Sequence, residues 1–141
     1  MSVTVPARRL RPAARLPERQ SPGAAGYDVY AAEDTVVPAR QRALVPSGVA
    51  LAIPAGYEGQ VRPRSGLALR YGVSAHFGTI DSDYRGEILV LLQNHSDEDY
   101  KVQAGDRIAQ LVIAPVVAAA FVEADLDETQ RGGGGFGHTG R

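Results

Sequence analysis

Three carboxylates, a tyrosine and an arginine crowd the ten residues GTIDSDYRGE, Gly78 to Glu87. An Asp-rich stretch between two β-favouring runs is first of all a turn. Asp81, however, follows Thr79 and Ile80 directly, and a carboxylate at the inner edge of a strand is costly unless it has a partner or a task. Orienting and deprotonating a water is such a task. A second group lies in RPRSGLA, where Arg64, Ser65 and Gly66 stand at a strand-to-helix junction. Free amides, an arginine and a hydroxyl there compose an anion site, while a plain helix cap is the lesser reading of Ser65. A third candidate is Gln110, inside the otherwise apolar AGDRIAQL, which needs hydrogen-bond partners if buried.

Other chemistries are excluded or thin. There is no cysteine, so thiolate nucleophiles, disulfide frameworks and cysteine-ligated zinc are absent. His76, His95 and His138 show no ligand spacing; carboxylates beside phosphates suit hydrated Mg²⁺ better. With 15 basic and 16 acidic residues the net charge is -1, which argues against a nucleic-acid binder held by phosphate neutralisation. Arg8, Arg9, Arg11, Arg15 and Arg19 cluster near the N-terminus. Prolines interrupt them and no aromatics interleave, so a surface strand and loop is preferred to a basic arm. No apolar run is long enough to span a bilayer, and the reading is a cytoplasmic protein without a membrane partner.

The elements that must position these groups are short strands. Sixteen glycines and nine prolines punctuate runs at 27–32, 43–45, 49–53, 58–61, 87–93, 107–113 and 116–122. The one helical candidate is Ser65–Tyr71, where Leu67, Ala68 and Tyr71 fall at three-to-four spacing. These signals predict an all-β domain with one short helix. The unbroken apolar run Ile88–Leu92 suits a strand buried on both faces, in a sandwich or at a subunit interface, and Val116–Val122 reads the same way. The last eleven residues, RGGGGFGHTGR, read as a flexible tail. Their G-x-G-x-x-G pattern lacks the strand and helix of a dinucleotide site, although glycine-rich backbone can still wrap phosphates.

Five segments in order, AAGYDVYA (24–31), RPRSGLA (62–68), GTIDSDYRGE (78–87), GDRIAQL (105–111) and RGGGGFGHTG (131–140), resemble the motifs of the trimeric deoxyuridine triphosphatases (dUTPases). The resemblance implies a distorted jelly-roll-like subunit, a homotrimer whose active sites are shared between chains, and hydrolysis of dUTP to dUMP and pyrophosphate. By position it makes Asp81 the residue that activates the water attacking the α-phosphorus. Arg64, Ser65, Gly66, Gln110, Arg131, His138 and Thr139 correspond to phosphate binders, and Asp28 to an outer-shell partner of a Mg²⁺ held mainly by the triphosphate. The nucleoside would meet Ala75, Gly78, Thr79, Ile80, Asp81 and Leu89, with Tyr84 packing on the deoxyribose and Phe136 stacking on uracil. Residues 1–130 would form the core domain and 131–141 a lid.

Ordering ten tail residues costs about 10 kcal/mol of backbone entropy. A stack worth about 1–3 kcal/mol and an arginine bond of about 1.5–3 kcal/mol do not offset that, so glycine amides on phosphate must contribute. Two positions depart from the family's usual pattern: His138 stands for a serine, and Ala75 for the asparagine of many bacterial members. A dCTP deaminase on the same fold is disfavoured because Leu91 aligns with that enzyme's catalytic glutamate, and leucine moves no protons. A non-catalytic nucleotide-binding module is disfavoured by the presence of Asp81, Arg64 and Arg131 together.

Overall fold

A computed structural model describes residues 2–141. Ten strands and one helix run in the order β1 (Ala7–Arg9), β2 (Tyr27–Tyr30), β3 (Thr35–Val37), β4 (Arg42–Leu51), β5 (Tyr57–Arg62), α1 (Ser65–Tyr71), β6 (Val73–Ala75), β7 (Gly78–Ile80), β8 (Glu87–Asn94), β9 (Tyr100–Val102) and β10 (Arg107–Pro115). Two four-stranded sheets, ordered β1-β4-β8-β6 and β2-β10-β5-β7, are joined by the small pair β3-β9. Every pairing is antiparallel, and the result is the all-β, jelly-roll-like subunit with one short helix that the sequence predicts.

The core lies between the sheets and is built mostly from β-branched side chains. Val37, Val45, Val49, Ile53, Val73, Val90, Val102 and Ile108, with Leu92, are all but sealed from solvent. Such residues fit a pleated surface and lose little rotamer freedom there. Asn94 is the notable polar exception. Its amide nitrogen donates to the carbonyls of Val37 and Glu98 (3.0 and 2.8 Å), and its Oδ1 accepts from the Ser96 amide and hydroxyl (3.0 and 2.8 Å). A buried amide with every valence used fixes the end of β8 against β3.

Several expectations are corrected. The run 43–45 and residues 49–51 of the run 49–53 belong to one strand, β4, bent by a bulge: the register against β8 shifts between Pro46 and Ala50, and Gly48 sits at φ +69°. Within one chain strand β8 is buried on one face only. Its side chains alternate, and Leu89 is 46% exposed, because the sheet covers it on one side only. Residues 116–122 form no strand. Pro115 ends β10 and, apart from Val116 N–H donating to Gly56 O (2.9 Å), nothing in the described chain pairs with this run. Val117, Phe121 and Val122 are consequently exposed. The three-residue strands β1, β3, β6, β7 and β9 are too short to carry a periodic signal. Among the described residues no helix is long and apolar enough to cross a membrane.

Candidate active site

Asp28, Gln110 and Arg62 lie side by side across the second sheet, Gln110 on β10 facing Asp28 on β2 and Arg62 on β5. Gln110 is polar and half-buried, and its Nε2 donates to Pro63 O at 3.0 Å. It fits only because residue 26 is glycine. A Cβ there would overlap Gln110 Oε1 and lie 3.0 Å from Cδ.

Beyond Pro63 the chain turns into α1. Arg64 holds the cap position with extended φ and ψ (-100°, 127°) and no side-chain cap bond is made there. Ser65 is thus the first helical residue, exposed, with its hydroxyl unspent; the capping reading does not hold. The Arg64 guanidinium donates to Arg107 O (3.0 Å), and its Nε lies 3.9 Å from Asp28 Oδ1. Arg107 approaches the other carboxylate oxygen, Oδ2, at 3.7 Å. Both separations exceed hydrogen-bond length. Oδ2 is buried without a hydrogen-bond partner, an arrangement that normally costs about 1–3 kcal/mol or more. Asp28 is therefore held between two cations with capacity to spare. Next to it a cavity of about 200 Å³ is lined by Arg64, Arg70 and Arg107, with Gly66 and Asp106. Three guanidinium groups and one carboxylate make it a site for a multiply charged anion.

A second cavity of about 220 Å³ lies at the sheet's other edge, where β7 pairs with β5. Gly78, Thr79, Ile80, Asp81, Tyr84 and Leu89 line it together with Glu87. Asp81 sits at the end of β7 and is exposed. The burial argument for it fails, and what singles it out is its place on the pocket. Tyr84 N–H donates to Asp81 O (3.1 Å), closing the turn, and the Tyr84 hydroxyl donates to Glu87 O at 2.7 Å. This bond folds the ring over Gly86, where a Cβ would stand 2.5 Å from the hydroxyl oxygen. Val61, Ile80, Ile88 and Leu89 make the rest of the wall apolar, which suits a small planar ring.

Ala75 is not part of this pocket; it is 3% exposed and faces the core from β6. The tail residues are also elsewhere. Among the described residues no hydrogen bond or ion pair ties 117–141 to the body. Arg131 Nε donates to Gly134 O (2.8 Å), the His138 ring lies against Gly134, and Phe136 is fully exposed. The two cavities share no lining residue. Among the described residues no group of three or more His, Asp or Glu could hold a metal ion by itself. Four contributors escape sequence reasoning: Gly26, Gly86, Glu87 and Arg107. The first two matter only through a side chain close in space, and nothing in a single sequence reports that.

A β-sandwich subunit with a basic cavity and a separate small, mainly apolar pocket can hold a ligand that has an anionic part and an apolar ring. The sequence model of the dUTPase family matches residues 13–140, and the chain belongs to that family. It is 57% identical to the deoxyuridine 5'-triphosphate nucleotidohydrolase of Syntrophotalea carbinolica, over 99% of this chain and 98% of that one. It is 50% identical to that of Arabidopsis thaliana, over 94% and 81%. Among solved structures, the Staphylococcus bacteriophage 80alpha dUTPase with dUpNHpp superposes with a TM-score of 0.92 at 29% identity, covering 99% of this chain and all of that one. The dUTPase of S. aureus phage phi11, which coordinates a structural Mg(II) ion, gives 0.82 at 28%, covering 88% and 98%.

Proposed function

We propose that this protein hydrolyses dUTP to dUMP and pyrophosphate by attack of water on the α-phosphorus. The observation that carries the reading is that one chain presents two separate half-sites, one cationic and one mainly apolar. A three-arginine cavity beside the underused Asp28 carboxylate takes the triphosphate, and the β7 pocket, with Asp81 on it, takes the nucleoside. Relatives up to 57% identical carry the same activity in their names.

In this reading Asp81 accepts the proton of the attacking water, its exposure giving water access. The pyrophosphate leaves with its oxygens on Arg64, Ser65, Gly66 and Gln110, donors that gain most as charge builds on the leaving group. Tyr84, tied to Glu87, packs on the sugar and leaves no room for a 2′-hydroxyl. Gly78, Thr79, Ile80 and Leu89 enclose the base, while Ala75 acts only by supporting β6 from the core.

The donor set fits a hydrated Mg²⁺. Asp28 Oδ2 is a buried anion without a hydrogen bond, and it would accept one from the ion's water. When bound, the ion supplies charge neutralisation to the phosphate oxygens. Because the two half-sites do not merge within one chain, we assign the working enzyme to a homotrimer with shared sites. Residues 131–141 serve as a lid over 1–130: Arg131, His138 and Thr139 meet phosphate and Phe136 covers the base. The enzyme would act on the cytoplasmic nucleotide pool and needs no nucleic-acid or membrane partner. The test is pyrophosphate and ammonia release from dUTP, dCTP, dTTP and UTP with Mg²⁺. Pyrophosphate from dUTP alone is expected; ammonia from dCTP, or no product, overturns the proposal.

A further inference from the structure

Glu87 is bonded at both ends of the residue, and the two bonds face different tasks. Its carboxylate Oε2 accepts a hydrogen bond from Gly48 N–H at 2.8 Å, across from β8 to the bulge of β4. Its backbone carbonyl accepts the Tyr84 hydroxyl at 2.7 Å. The bulge makes the first bond necessary. Between Pro46↔Leu89 and Ala50↔Glu87 the longer β4 segment leaves the Gly48 amide without a ladder partner, and a buried amide left unpaired is costly. Gly48 is fixed in turn. It stands at φ +69°, a Cβ there would lie 2.8 Å from Ala14 Cβ, and its carbonyl accepts Leu10 N–H at 2.7 Å. The bulge is therefore a rigid anchor, and Glu87 is tied to it.

The turn that Glu87 terminates is held just as tightly on its other side. Arg85 Nη1 donates to both Ser82 O (2.6 Å) and Tyr84 O (3.1 Å), and Tyr84 N–H to Asp81 O. The Tyr84 ring itself lies over Gly86 and is 44% exposed, so packing alone leaves it room to swing out. Only the hydroxyl bond to Glu87 O opposes it.

We propose that Glu87 is a positioning residue for sugar selectivity. Its carboxylate, seated on the Gly48 amide, fixes the carbonyl that holds the Tyr84 ring closed over the nucleoside pocket, and so fixes the wall that rejects a ribose. The proposal rests on the dUTP-hydrolysing reading. It makes the acidic side chain at position 87 part of substrate discrimination through its bond to the β4 bulge.

The test is the ratio of kcat/KM for dUTP to that for UTP in wild type, Glu87→Ala, Glu87→Gln, Tyr84→Phe and Glu87→Ala/Tyr84→Phe, with Gly48 amide exchange measured by NMR. Glu87→Ala lowers the ratio about tenfold, the scale of one lost positioning bond, chiefly by improving KM for UTP. Glu87→Gln keeps an acceptor for the amide and keeps the ratio. The double variant is no less selective than Tyr84→Phe, since both act through one ring. Glu87→Asp, too short to reach the amide, carries the same test if the alanine variant does not fold. An unchanged ratio in Glu87→Ala or Glu87→Asp, or losses that multiply in the double variant, overturns the proposal. So does Gly48 exchange as fast in wild type as in Glu87→Ala. A folded wild type that releases no pyrophosphate from dUTP instead overturns the functional reading, and the exchange measurement then decides the anchor alone.

Discussion

Gly26→Ala separates what the site needs from what the fold needs. Gly26 does not use the left-handed region, so alanine is sterically allowed by the backbone and gains about 0.4–1 kcal/mol by restricting the unfolded chain. Against this, the new methyl would overlap Gln110 Oε1 and press on Cδ at 3.0 Å and Cβ at 3.1 Å. The side chain must rotate out, losing its bond to Pro63 O, a net cost of about 0.5–1.5 kcal/mol. The two terms nearly cancel, so the net change stays within about 1 kcal/mol, or a thermal midpoint shift of about 2–4 °C at this size. Activity has no such compensation. An amide that donates to a charged phosphate is worth about 1.5–3 kcal/mol, so kcat/KM falls about 10- to 150-fold. Urea unfolding and pyrophosphate release on the same samples measure both. Gly26→Ala/Gln110→Ala should be no slower than Gln110→Ala, because the glycine acts through that one side chain. A Gly26→Ala protein within about twofold of wild-type kcat/KM, on the arithmetic of transition-state binding, would refute the reasoning.

Asp81→Asn keeps shape and removes the base; kcat should fall by about 10²–10⁴ with the thermal midpoint unmoved, since the carboxylate is exposed. Retention of activity within about tenfold rules out the general-base role. Deleting residues 131–141 should depress kcat sharply and leave unfolding unchanged, because among the described residues the tail makes no hydrogen bond or ion pair to the body; near-normal turnover would exclude a lid. Burial raises the Tyr30 and Tyr100 hydroxyls above their ordinary 10.0, favouring the neutral form in the fold. Their contribution is complete below pH 10 and is lost as pH rises through the folded values, so unfolding titrations should show stability declining above about pH 10. A plateau through that range would contradict it.

How much of the fold and site is legible in the sequence depends on distance along the chain. Helix Ser65–Tyr71 and the strands around Tyr27, Glu58, Glu87 and Arg107 are dictated by local pattern and punctuation, and each appears near its expected place. What failed depended on neighbours. The run 116–122 has the composition of a strand but no partner within the chain, and Ile88–Leu92 reads as doubly buried although Leu89 faces an open pocket. At the site, Asp81, Arg64, Ser65 and Gln110 announce themselves as polar groups at element ends or in an apolar strand. The roles of Gly26 and Gly86 arise from Gln110 and Tyr84 lying against them, and Glu87 acts on β4, thirty-nine positions away. Asp28 reads as one polar residue in a strand until Arg64 and Arg107 are seen on either side of it.

Attack of water on the α-phosphorus of dUTP is the central claim, and turnover in heavy-oxygen water with mass analysis of both products tests it most directly. The label should appear in dUMP and not in pyrophosphate. Label in pyrophosphate would place the attack on the β-phosphorus and contradict the assignment of Asp81.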